Sequence, residues 1–429
     1  MTDSQPFQRL RKIDIITAHP NKLLVGALIA IFAFGAIIRI TPIASLNPTT
    51  KIVPHAPTGA FIGHDEDFYR RYLTMIDAKG LSGYPATVRT YVAAQRDLNW
   101  AIIPPTRVTF IASAYLWQFV SRSSPLSSLH AVSCLFTVLG LAVAGVFAWR
   151  LGGLPKALGI TALMSCAPLQ IQMAQRAYID GVFACCALLT LWMLWENLRA
   201  PNHYGWLAGY IVSMALMVMT KENAAFVFVS IIGIIVLNAW ISIGKITAAL
   251  LVASLLGLLL GLFVLTLAAG GINTLAEVYR INVEKSYLTS YAVQTGDGPW
   301  FRYALDLLIM SPVVTLLAIA GFLNFEQYDK PTAYFAFILV LTYVVMANVR
   351  YGMNLRYASI WDMPLRWIAL GQLTAIAGTI PQRFGRFFIV FGVALLCLVD
   401  LRQYLLFFAE NGIYDPIPES MLRALNILK

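Results

Sequence analysis

Charge is what this sequence has least of. Of its 429 residues only 12% are Asp, Glu, Lys or Arg, while 59% are hydrophobic; a soluble domain typically carries about 25% charged residues. That deficit excludes an ordinary water-soluble domain. Cysteine is also scarce: Cys134, Cys166, Cys185, Cys186 and Cys397 all lie inside apolar runs, without the spacing of a metal site or a disulfide framework, and read as small core residues. Internal repeats, low-complexity tracts and a separate soluble domain are missing. The net charge of +10 raises the question of nucleic acid. No basic stripe or nucleic-acid motif accompanies it, and Lys and Arg fall mainly between the apolar runs, where residues flanking membrane spans belong. No nucleic-acid partner is expected.

What the sequence does have is apolar runs of roughly 15 to 25 residues, the length that crosses ~30 Å of hydrocarbon. They predict an all-α polytopic membrane protein, one integral domain over residues 1–429, with about eleven transmembrane helices near 23–43, 129–149, 157–175, 179–195, 206–220, 224–240, 246–269, 303–323, 333–347, 364–380 and 387–408. Segment 107–120 is apolar but short and reads as interfacial or partly inserted. Three polar stretches remain: a long first external loop (44–105), a second loop (270–302) and a C-terminal tail (409–429). Within the first, Phe68, Tyr72 and Met75 recur at helical spacing, so short helices lying on the membrane surface are expected there.

Arg9, Arg11, Lys12 and Lys22 precede the first run, which predicts an uncleaved anchor with a cytoplasmic N-terminus. With eleven spans, Arg150, Lys156, Arg199, Lys245, Lys330, Arg383 and Arg386 fall in the cytoplasm. The acidic stretch after the first span then faces outward, together with Arg176, Lys221, Arg350 and Arg356. In a bacterium the membrane would be the plasma (inner) membrane, with the site on its periplasmic or extracellular face.

The densest charge is Gly63-His64-Asp65-Glu66-Asp67-Phe68-Tyr69-Arg70-Arg71-Tyr72. Three carboxylates beside a His can deprotonate an acceptor hydroxyl, hold a cation, or simply keep a loop in water. A metal finds no complementary Cys/His/Asp spacing elsewhere. Arg176 and Asp180, four apart, can pair on a helix, or Arg176 can contact an anion while Asp180 orients it. Lys221-Glu222 interrupts an otherwise apolar stretch, as a hairpin turn, a site or both. Arg350 and Arg356-Tyr357 form a basic, aromatic turn that can grip a phosphate and stack on a sugar or serve as an interfacial anchor.

The order of these motifs resembles a known family. Asp65-Glu66-Asp67-Phe68-Tyr69 follows the first span, then Pro104-Pro105, Pro168 to Asp180, Met219-Thr220-Lys221, Gly298-Pro299-Trp300-Phe301-Arg302-Tyr303 and Arg356-Tyr357. The chain resembles, over about residues 23–370, the GT-C glycosyltransferases of the protein O-mannosyltransferase and aminoarabinose-transferase type. The resemblance implies transfer of a sugar from a polyprenyl-phosphate donor on the non-cytoplasmic face, with inversion and without a metal or other cofactor. The acceptor would be a glycan, a lipid or a protein. By the same resemblance Asp65 is the catalytic base and Glu66 supports it. Lys221, Arg356 and Arg176 bind the donor phosphate, and Asp180, Glu222, Tyr69, Tyr357 and Arg350 line the cavity. One departure is that Ile102-Ile103, not a Lys, precede Pro104-Pro105. A reading from a different class, a secondary transporter or lipid flippase, would instead place ionisable groups at mid-membrane, often in repeated halves.

Overall fold

The computed structural model describes residues 22–41, 63–324 and 329–428. Arg9, Arg11 and Lys12, the expected end of the first span and residues 44–62 of the external loop lie outside the described residues. Among the described residues the protein is all-α, with 18 α-helices and no strand.

Helix α1 (Lys22–Ile40) is followed by two short amphipathic helices, α2 (His64–Asp77) and α3 (Tyr84–Asp97). In α2 the buried side chains are Glu66, Tyr69, Tyr72, Leu73 and Ile76, an i, i+3, i+4, i+7 stripe, while Asp67 pairs outward with Arg70 and Arg71. The bundle continues with α4 (Val108–Ser121), α5 (Pro125–Ser165), α6 (Pro168–Ala174), α7 (Ile179–Arg199), α8 (Tyr204–Val218), α9 (Ala224–Ile241) and α10 (Ala248–Ala269). Two further helices, α11 (Ile272–Ser286) and α12 (Ser290–Thr295), precede α13 (Arg302–Met310), α14 (Pro312–Leu323) and α15 (Lys330–Met346). A 3₁₀ segment, Leu355–Trp361, leads into α16 (Asp362–Gly378), then α17 (Gln382–Tyr404) and α18 (Pro418–Ala424).

Among the described residues five helices are long and apolar enough to cross a membrane: α1, α5, α7, α10 and α17 with its π-helical extension to Glu410. Five apolar helices are shorter, among them α4, α8 and α14. This tally rests on helix length and composition, and α5 joins two expected runs across its bend, so the eleven spans expected from the apolar runs are not confirmed by it. At ~1.5 Å per residue the 14-residue α4 is about 21 Å long. Its first half is buried in protein, while Phe119 and Val120 are 76% and 82% exposed. Of these five, α7 is the most enclosed, with almost every side chain buried, whereas α10 turns Leu251, Leu255, Leu259 and Phe263 outward.

Two expected spans are broken inside the bundle, and each break has a local cause. The run 157–175 divides after Ser165, where Pro168 opens α6, and the run 303–323 divides at Ser311-Pro312. A helix end leaves carbonyls without partners, which is costly away from water. Here two buried arginines meet them: Arg39 donates to Met164 O (2.8 Å) and Ser165 O (3.1 Å), and Arg366 to Leu163 O (3.1 Å). Arg366 also pairs with Asp362 (2.6 Å) and Asp400 (2.5 Å). Charge is therefore not confined to the helix ends, as the sequence alone suggested. Helix α5 bends at Gly152-Gly153, the latter at φ +73°, ahead of Pro155.

Candidate functional site

The charged residues singled out in the sequence meet at one end of the bundle. They come from the first turn of α2, the α6–α7 connection, the α8–α9 turn and the 3₁₀ segment after α15. Four of these are places where a helix begins or ends, so side chains from distant parts of the chain converge without interrupting a span.

Glu66 is the anchor. Its Oε2 accepts from Gly63 N–H (2.7 Å) and from Arg176 Nη2 (2.6 Å). Its Oε1 accepts from Ala177 N–H (2.8 Å) and lies 3.1 Å from His130 Nε2. The Gly63 bond is the reach-back of a Glu at the third helical position to the N-cap. Burial pushes this carboxyl up, but the His130 hydrogen bond and the Arg176 charge outweigh it and hold Glu66 at about 2. Gly63 is required by close approach, because a Cβ there would fall 1.9 Å from the Tyr414 ring.

Asp65, one residue earlier, differs. Its side chain is 20% exposed, the most accessible carboxylate bound to a buried cation here apart from Glu222 at 29%, and its Oδ2 accepts from Arg356 Nη1 at 2.9 Å. Asp180, in the first turn of α7, receives Lys221 Nζ on one oxygen and lies 3.4 Å from Arg356 Nη1 on the other. The Lys221 ammonium also stands 3.5 Å from the centre of the Tyr357 ring, a cation–π contact. Burial lowers Lys221 to about 8 despite Asp180. Arg107 donates to the Tyr69 hydroxyl and pairs with Glu222 at 3.3 Å.

Arg356 lies at the centre. Its guanidinium sits 4.5 Å from the Tyr178 ring centre, and its Nε lies 2.7 Å from Asp415 Oδ1. That last contact is ionic only, since the Nε–H does not point along it. Asp415 belongs to the tail after α17 and is also held by Tyr291 of α12. Tyr414 puts its ring 5.0 Å from the Arg176 guanidinium. Four buried or nearly buried cations (Arg107, Arg176, Lys221 and Arg356) therefore face five carboxylates (Asp65, Glu66, Asp180, Glu222 and Asp415) in one packed group.

Of the residues expected from the sequence, Asp65, Glu66, Tyr69, Arg176, Asp180, Lys221, Glu222, Arg356 and Tyr357 come together. Arg350 does not: it is exposed on the turn before Tyr351 and makes no hydrogen bond or ion pair among the described residues. Sequence reasoning missed Arg107, His130, Tyr178, Tyr291, Tyr414 and Asp415. For Arg107 a signal existed, since it stands two residues after Pro104-Pro105, whose segment is pinned by hydroxyls. Tyr72 donates to Ile103 O (2.5 Å), Tyr84 to Pro105 O (2.7 Å) and Tyr91 to Ile102 O (3.2 Å). No group of three His, Cys, Asp or Glu side chains suited to a metal ion is found among the described residues.

No family model matches the chain, and no curated protein matches it. Solved structures do. ArnT from Cupriavidus metallidurans in the apo state is 14% identical over 94% of this chain and 75% of its own, with a TM-score of 0.50. The oligosaccharyltransferase of Archaeoglobus fulgidus in complex with Zn and sulfate is 11% identical over 90% of this chain and 52% of its own, with a TM-score of 0.56. The archaeal oligosaccharyltransferase AglB from Archaeoglobus fulgidus, with an inhibitory peptide and a dolichol-phosphate, is 11% identical over 92% of this chain and 56% of its own, at TM-score 0.51. The chain spans a little over half the length of the two oligosaccharyltransferase structures. At such identities the likeness is one of fold.

Proposed function

The chain has the GT-C fold, and on that premise we propose that it is an integral-membrane glycosyltransferase that moves a sugar from a polyprenyl-phosphate donor to an acceptor hydroxyl on the non-cytoplasmic face. One observation carries the reading: Arg356 touches Asp65 and Asp180 together, while Lys221 rests on Asp180. The side chains proposed as proton acceptor and as phosphate-binding cations are within one side chain of each other, which supports the reading. That AglB was solved with a dolichol-phosphate supports the donor class.

In the proposed reaction the acceptor oxygen attacks the anomeric carbon as its proton passes to Asp65. The bond from that carbon to the phosphate oxygen breaks on the opposite face, inverting the centre. The departing phosphate gains negative charge, which Lys221 and Arg356 balance from a site shielded from water, where such contacts are strongest. Arg107 and Arg176 add positive potential. Asp65 suits the base because it is partly accessible and holds one hydrogen bond from a side chain. Glu66, saturated by four contacts, is a positioning residue that fixes α2 and so aims Asp65. A general base contributes roughly 10²–10⁴-fold.

The test is Asp65→Asn in purified protein supplied with polyprenyl-phosphate sugars. Transfer should drop by about 10²–10⁴-fold while donor binding is kept. Undiminished transfer in that variant removes Asp65 from the reaction.

A further inference from the structure

The other end of the bundle holds a second anion-ready feature. Helix α7 carries Asp180 in its first turn and Arg199 at its last residue, about 28 Å apart at ~1.5 Å per residue. Around Arg199 opens a cleft of about 590 Å³, lined in part by Trp195, Lys245, Lys330 and Pro331. This is the size range of small-molecule sites.

Three observations set it apart from scattered basic residues at span ends. First, among the described residues no lining residue is acidic, and there the side chains of Arg199, Lys245 and Lys330 make no ion pair or hydrogen bond, Arg199 resting over the Trp195 ring at 5.9 Å. The neighbouring Glu196 is engaged by Arg150 at 2.8 and 2.9 Å. Second, the cleft wall is built rather than loose. Lys245 N–H donates to Leu198 O (2.8 Å), and Asn238 and Gly244 exchange hydrogen bonds of 2.9 and 3.1 Å. A Cβ at Gly244 would meet Leu198 O at 2.2 Å, so only glycine lets the loop close on the end of α7. Third, the Trp195 side chain, 2% exposed, lines the cleft with an indole N–H that lacks an acceptor among the described residues. Lys330 adds an oddity. It occupies the first position of α15, the positive end of a 17-residue helix, where the helix dipole disfavours a cation. Asp329 caps that helix through Thr332 N–H (2.9 Å) and lines the adjoining cleft with Lys156.

Nearby, Trp149, Tyr204 and Trp240 are 46%, 88% and 77% exposed at helix ends on the same side, the aromatic belt that marks headgroup depth. We infer that this cleft binds a phosphate-bearing anion at the membrane surface, namely the head group of an anionic glycerophospholipid, held by Arg199, Lys245 and Lys330 with the Trp195 N–H as a further donor. Basic pockets between membrane helices take such head groups. The site stands apart from the catalytic cluster and does not depend on the glycosyltransferase reading.

Native mass spectrometry of the detergent-purified full chain tests it, with phosphatidylglycerol, phosphatidylcholine and sn-glycerol 3-phosphate as probes. Wild type should retain phosphatidylglycerol at least tenfold more strongly than phosphatidylcholine, and Lys245→Ala/Lys330→Ala should abolish that preference. Both lysines are exposed, so the fold is expected to survive, as an unchanged unfolding temperature would confirm. If glycerol phosphate binds as well as the lipid and is lost in the same variant, the site stands with a soluble phosphate as its ligand. Equal phosphatidylglycerol retention by wild type and variant overturns it.

Discussion

The Glu66 carboxylate is surrounded by donors from three separate parts of the chain, so its charge is worth something to the fold. Its pKa falls from 4.5 to about 2 on folding. A depressed acid stabilises above its unfolded value and loses that stability as pH falls through the folded one, here between about 4.5 and 2. At 1.36 kcal/mol per unit this is on the order of 3 kcal/mol, matching the cost of stranding a buried partner such as Arg176. Glu66→Gln should therefore lower unfolding stability by about that amount at pH 7, with the gap from wild type narrowing in acid denaturation curves below pH 4. Lys221 works in the other direction. With its pKa lowered to about 8 by burial, it loses its proton as pH rises through 8. Affinity for undecaprenyl phosphate should then fall up to tenfold per unit above pH 8, a slope that Lys221→Arg flattens. A pH-independent affinity in wild type would take Lys221 out of phosphate binding.

At the scale of elements, the tail beyond α17 matters more than its polar composition suggests. Arg356 has three carboxylates around it, from Asp65, Asp180 and Asp415. A phosphate bound to Arg356 as proposed would compete with them, and Asp415 meets Arg356 through an ionic contact rather than a hydrogen bond. Asp415→Asn should tighten undecaprenyl-phosphate binding by about tenfold, or ~1.4 kcal/mol, measured by ligand titration; weaker binding would show Asp415 to be needed for the site itself. Apolar periodicity reveals where helices exist but not where they break. The divisions after Ser165 and at Ser311-Pro312 sit inside runs that look continuous; the carbonyls freed at the first are met by Arg39 and Arg366, and at the second Leu307 O accepts from Thr315 and Ile309 O from Gln403, partners that the run itself does not reveal. The α5 bend was readable, since Gly152-Gly153 and Pro155 interrupt the run.

Over the whole molecule, the site was legible where polar residues interrupt grease: Asp65, Arg176, Lys221 and Arg356 each stand out against an apolar background. It was illegible where a residue looks ordinary in its own neighbourhood. His130 lies in an apolar helix and Asp415 in a polar tail; only the tertiary fold shows that the first meets Glu66 and the second Arg356. Arg350 is the converse, prominent in sequence and without a hydrogen bond or ion pair among the described residues. The two ends of α7 carry different arrangements, cations interleaved with carboxylates at one and, among the described residues, three cations without an ion pair lining a cleft at the other.

The tail contact also has a consequence for biosynthesis. Tyr414 and Asp415 follow α17 in the chain, so they can reach the cluster only after α1 to α17 have been synthesised. Until then Arg356 has two carboxylate neighbours instead of three, and the Arg176 guanidinium lacks its aromatic cover. A nascent chain stalled before Ile413 therefore presents this cluster more open to anions than the finished protein does.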